Sequence, residues 1–125
     1  MTRLLLTLVL FFSPLAFGEI AKEELIGEWY TISTYYKDAP KNKLVIKSDY
    51  SAEYSGKDFS LKCPKEWFSE ANGIYQIRCY LDDEERVRFS LGGWGKTVMF
   101  GFEFWVGGMK DGHIHGGVPV SFRKD

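Results

Sequence analysis

The chain has 125 residues, 26% of them charged, with a formal net charge of −1 and 13 glycines. That length suits one domain, and the balanced charge excludes the basic character of a nucleic-acid binder. Two cysteines and two histidines without close ligand spacing between the pairs argue against a structural zinc site.

Arg3, the apolar run Leu4 to Phe12, the breaker Ser13-Pro14 and the small-residue pattern Ala16-Phe17-Gly18 follow the order of a secretory signal peptide. The run is shorter than the roughly 20 apolar residues of a membrane-spanning helix. Removing residues 1–18 leaves residues 19–125 as a single domain of 107 residues. With Arg3 gone, 15 basic residues stand against 17 acidic ones, a net charge of −2. No cysteine sits at the junction to carry a lipid anchor. The expected protein is exported, periplasmic or secreted, with no stable membrane insertion and no nucleic-acid partner.

Glu19 to Ile26 reads as a lead-in turn or a single helical turn. Gly27 to Tyr36 is rich in aromatic and β-branched residues and ends in the turn chemistry of Asp38 to Asn42, which predicts a first strand. Leu44 to Lys47, Tyr50 to Ser55 and Phe59 to Cys63 are the next three. Pro64 to Gly73 admits two readings, a short helix opened by Pro64 and stopped at Asn72-Gly73, or a long hairpin loop. Either permits Cys63 to face Cys79 if the flanking strands pair symmetrically about Ala71, and an even pair in an exported chain reads as a disulfide. Two buried free thiols are the alternative.

Ile74 to Leu81 and Arg86 to Leu91 form a hairpin with the charged tip Asp82 to Glu85. The turn Gly92 to Gly95 leads into Lys96 to Val106. There Val98, Phe100, Phe102, Phe104 and Val106 occupy alternate positions, predicting a strand whose phenylalanine face lies in the core. Gly107 to Gly112 turns into the last strand, where Ile114, Val118, Val120 and Phe122 share a face. Eight strands with almost no helix predict an all-β, antiparallel sandwich or barrel.

Gly27-Glu28-Trp29, near the start of the expected mature chain, resembles the Gly-x-Trp opening of the calycins, the group that holds lipocalins, avidins and fatty-acid-binding proteins. The resemblance implies a small eight-stranded up-and-down barrel with one disulfide. It also implies that Trp29 plugs the closed end and that a basic residue of the final strand, Arg123 by position, packs across it. Size and a single disulfide give a second resemblance, to small exported inhibitors of bacterial proteases, which act through an N-terminal arm. The corresponding arm, Glu19 to Leu25, is charged and has little apolar content for an enzyme cleft.

No nucleophile, paired-carboxylate or phosphate-binding motif stands out, so the sequence implies neither an enzyme nor a cofactor. His113 and His115 fall on one side of a strand and are the candidate metal ligands, with two solvated imidazoles as the plain alternative. Asp82 to Glu85 lacks the spacing and glycine of a calcium loop. The remaining signal is aromatic, since four tryptophans, seven tyrosines and seven phenylalanines follow residue 18. A barrel of eight strands is either filled by side chains or wide enough for one small ligand. Alternation of strand direction places Tyr36 and Met109 at the open end as candidate ligand contacts, together with Trp105. It places Trp67 and Trp94 over the closed end as structural covers. A non-enzymatic binder of a small apolar or aromatic molecule is expected, the alternative being an inhibitor or partner of an exported hydrolase.

Overall fold

A computed structural model describes residues 20–32, 41–106 and 114–124, with Ile114 and His115 placed by their backbone alone. Nine strands occur among the described residues: β1 (Gly27–Thr31), β2 (Lys43–Ile46), β3 (Ala52–Ser55), β4 (Ser60–Cys63), β5 (Ser69–Ala71), β6 (Ile74–Leu81), β7 (Glu84–Trp94), β8 (Val98–Val106) and β9 (Ile114–Lys124). All pair antiparallel, in the order β4-β3-β2-β1-β9-β8-β7-β6-β5, and β4 also pairs with β6. That last pairing closes the sheet on itself. Eight strands go round, because β4 and β5 are successive pieces of one stave, both laid against β6.

Pro64 and the short 3-10 turn Lys65–Trp67 cause the break in that stave. Proline has no N–H for the ladder, so the chain leaves the wall there and rejoins it at Ser69. The segment is therefore neither of the two forms predicted for it. The disulfide Cys63–Cys79 sits just before the break, in register with Lys62 opposite Tyr80, with the two Cα atoms 4.1 Å apart.

Alternation governs the wall. Leu44 and Ile46, Ala52 and Tyr54, Leu61 and Cys63, Tyr75, Ile77 and Cys79, and Val87, Phe89 and Leu91 all point inward and are buried. The centre of the lumen is occupied by aromatic rings. Tyr54 meets Phe89 edge-on at 4.8 Å between centroids, and Phe89 meets Phe122 at 5.6 Å. Such tilted contacts add to the apolar burial of each ring.

β8 takes the phase opposite to the one its phenylalanines predict. Met99 and Glu103 are buried, whereas Phe100 and Phe102 are about half exposed on the outer wall. The interior of a small barrel has a fixed volume, and Trp29, Tyr54, Phe89 and Phe122 already fill it. The strand facing them supplies slim side chains inward and its rings outward. A register irregularity then leaves Gly116 of β9, at φ +67°, as an extra residue between the partners of Phe104 and Trp105. β8 keeps its phase, with Trp105 opposite inward-facing Val87 at the rim and Val106 buried beside it.

The closed end is sealed by the lead-in. Ile20 and Leu25 are buried, and the latter ends a 3-10 turn, Lys22–Leu25. Ile20 lies against Gly93, where a Cβ would come within 2.3 Å of its side chain, so this glycine leaves room for the plug. Trp29 is fully buried and donates from Nε1 to the Leu25 carbonyl at 2.8 Å. The cation above its ring is Lys124, at 5.5 Å, and not Arg123, which is exposed. The register explains the exchange: Lys124 lies directly opposite Trp29 and shares its face, while Arg123 lies opposite Tyr30 on the outer one. Gly27, at φ +139°, completes the arrangement because a Cβ there would stand 2.8 Å from Lys124 Cε.

Candidate binding site at the mouth of the barrel

The end opposite Trp29 opens into a cleft of about 350 Å³. Leu61 from β4, Val87 from β7 and Val106 from β8 form its buried floor, and Phe59, Leu81 and Trp105 stand around it. Each is delivered by an element already described. Leu61 and Val87 are inward residues of alternating strands, Trp105 reaches the rim on the face it shares with its partner Val87, and Val106 is buried beside it.

One charged side chain reaches this apolar rim. Arg86 lines the cleft, its Nη2 lies 2.8 Å from Glu84 Oε2, and its Nε is buried with no hydrogen-bond partner among the described residues. Its neighbour Arg88 is engaged on the other side of the hairpin, where Nε and Nη2 donate to Glu85 at 2.7 and 3.1 Å. The hairpin tip is thus a pair of short ion pairs joined by a turn in which Asp82 adopts φ 55°.

A second polar group lies inside the barrel. Asn42 Nδ2 donates to the Tyr54 hydroxyl at 2.9 Å, and that hydroxyl donates to Glu103 Oε1 at 3.0 Å. Burial holds the Glu103 carboxyl above its ordinary value, against the opposing pull of the Tyr54 hydrogen bond. Burial and the neighbouring Glu103 charge push the Tyr54 hydroxyl up as well. A carboxyl whose folded value is raised holds its proton in the native state over a pH range where the unfolded chain has lost it. Stability therefore falls as pH rises from the ordinary carboxylate value of about 4.5 through the raised one. Glu103→Gln should melt at a higher temperature than the parent at pH 8 and at a similar one at pH 4. A lower melting temperature at pH 8 would contradict this placement of the carboxyl.

The predicted site residues distribute unevenly. Trp105 is half exposed and lines the cleft. Tyr36, Met109 and His113 lie outside the described residues, and His115 is placed only as a backbone position of β9. Among the described residues no three or more His, Cys, Asp or Glu side chains gather as a metal site would require. Trp67 and Trp94 do not cover the closed end. Trp67 is 45% exposed on the outer wall, beside the Tyr80 ring with the Arg78 guanidinium 4.7 Å from its own. Trp94 is 67% exposed, because it lies opposite Val98 on the outward face of the β7–β8 ladder. Phe68 takes the covering role instead, stacked on Tyr50 at 5.0 Å with Lys22 above that ring.

Compared with protein families, with curated proteins and with solved structures, the chain matches none. Its site must be judged on its own geometry. Arg86 and Glu103 escaped the sequence reading, the first as the opening residue of a strand next to a charged tip and the second as a polar residue on a face expected to be mixed. The parity of Met99, Gly101 and Glu103 was the available signal.

The outer wall carries a second surface. Trp94, Phe100, Phe102, Ile74 and Pro119 border a broad groove of about 750 Å³. Cross-strand neighbours of the phenylalanines are small: Gly92 and Ser121 flank Phe100, and Ser90 and Pro119 flank Phe102. The rings consequently stand proud of the sheet. This groove is larger than the mouth but has no buried floor, so it suits a broad partner and not an enclosed small molecule.

Proposed function

We propose that the protein is an exported, non-enzymatic, calycin-like barrel that holds a small apolar or aromatic molecule in the mouth of the barrel. The observation that carries this reading is the cleft beside Trp105, whose volume lies at the lower end of the range for small-molecule sites and whose floor is buried and apolar. The aromatic packing of Tyr54, Phe89 and Phe122 below it limits the ligand to the mouth. The disulfide agrees with an oxidising compartment. N-phenyl-1-naphthylamine, a neutral apolar fluorophore, should bind with one-to-one stoichiometry and quench tryptophan emission. Trp105→Leu should remove most of that quenching. Absence of uptake by the native protein would end this reading.

The outer aromatic wall favours a second reading, a protein that engages an exported partner such as a hydrolase. Exposed rings at Trp94, Phe100 and Phe102 form a larger apolar surface than scattered single residues would give. Phe100→Ser combined with Phe102→Ser should then abolish capture of that partner from an exported-protein fraction while leaving the melting temperature nearly unchanged. Capture that survives the double change would exclude the wall as the contact.

A further inference from the structure

We infer that the ligand held at the mouth is an organic anion, a small aromatic or aliphatic carboxylate or sulfonate whose charged group is received by Arg86. This rests on the reading of the mouth as a small-molecule site. Arg86 is the charged residue that lines the cleft, and the walls around it are Phe59, Leu61, Leu81, Val87 and Trp105. Its Nε is buried and donates to nothing among the described residues, although a buried guanidinium N–H ordinarily has an acceptor. The Arg86 side chain as a whole is 36% exposed, so a small rotation turns Nε and the neighbouring amino group toward a ligand on the apolar floor, where two oxygens of one carboxylate or sulfonate match that fork.

The charges around the site set the competition. Glu85 is committed to Arg88 through two hydrogen bonds, so it does not neutralise Arg86. Glu84 does contact Arg86, through Nη2 alone, and its side chain is 70% exposed. An ion pair with one partner so exposed is weak and salt-screened, so an incoming carboxylate or sulfonate that uses the buried Nε displaces or shares it at little cost. Asp82 and Asp83 at the hairpin tip are exposed and oppose the approach of an anion over a longer range. Selectivity therefore comes from the desolvated hydrogen bond within the cleft, while the tip slows rather than prevents occupation.

The test compares two fluorophores that share an aromatic frame, 1-anilinonaphthalene-8-sulfonate and neutral N-phenyl-1-naphthylamine. The native protein should bind the sulfonate at least tenfold more tightly than the neutral compound, in keeping with a charge-assisted hydrogen bond. Arg86→Met should remove that preference and leave binding of the neutral compound within about threefold. Glu84→Gln, at an exposed position that does not endanger folding, should tighten sulfonate binding severalfold by freeing the guanidinium. Neutral binding without sulfonate preference, or a preference indifferent to both substitutions, overturns the assignment to Arg86 while leaving the mouth site intact. Failure of both fluorophores to bind overturns the site and the assignment together.

Discussion

Replacing Trp29 by alanine will cost the barrel roughly 3–5 kcal/mol, the range for truncating a large buried aromatic. The side chain is fully buried, and its loss removes the ring beneath Lys124 as well as the hydrogen bond to the Leu25 carbonyl. Leu25 and Ile20 plug the same end, so the lead-in loses the surface on which it is seated. Urea unfolding measures the change, and Trp67→Ala is the control. Trp67 is nearly half exposed and keeps its ring contacts on the outer wall, so its removal should cost no more than about 1 kcal/mol. Equal losses in the two variants would refute the assignment of Trp29 to the closed end.

Breaking the disulfide is expected to have the next largest effect. The bond joins residues 16 apart in sequence, and releasing that loop frees the unfolded chain by about 3 kcal/mol. For a domain of this size the melting temperature should drop by on the order of 15 °C. Cys63→Ser together with Cys79→Ser should give the same drop as a reductant. The seam makes the loss concrete, because Lys62 opposite Tyr80 is the ladder pair that joins β4 to β6 beside the bond. A reduced protein that melts at the oxidised temperature would show that the ladder closes the barrel unaided.

The architecture was largely legible, and the reasons are local. Turn residues and period-two patterning marked β2, β3, β4, β6 and β7, because each of those strands has one buried face and a polar or half-exposed other. The cysteines were legible as a disulfide because they are an even pair in a chain read as exported. The assumed symmetry about Ala71 was not: the hairpin turns at Asn72-Gly73 with Ala71 opposite Ile74, and the break after Pro64 restores Cys63 to Cys79. What failed was the sidedness of β8. Alternation reveals two faces but not which is inside, and the usual choice of the more apolar face is wrong when a narrow lumen is already full. Arg123 failed for a related reason, since a one-residue difference in register exchanges it with Lys124.

The mouth was harder to foresee. Its floor combines Leu61, Val87 and Val106 from strands far apart in sequence, and Trp105 joins its rim only through its cross-strand pairing with Val87. No short motif records such a gathering. Trp105 was legible as an aromatic on the strand face opposite the phenylalanines, whereas Arg86, the first residue of a strand beside four acidic residues, carried no signal of its own.

The pairing of β1 with β9 sets a timetable for the chain. Trp29 lies opposite Lys124, so the first stave completes its neighbours only when the far end of the described chain is available. Until then both β1 and β9 are open edges, and the outward rings of β8 stand on a sheet that has not yet curled shut. Most of the other ladders join strands that follow one another in sequence, so the hairpins can form locally while this one distant pairing waits. A chain emerging from its N-terminal end thus remains uncommitted for nearly its whole length, and closure arrives as one late event.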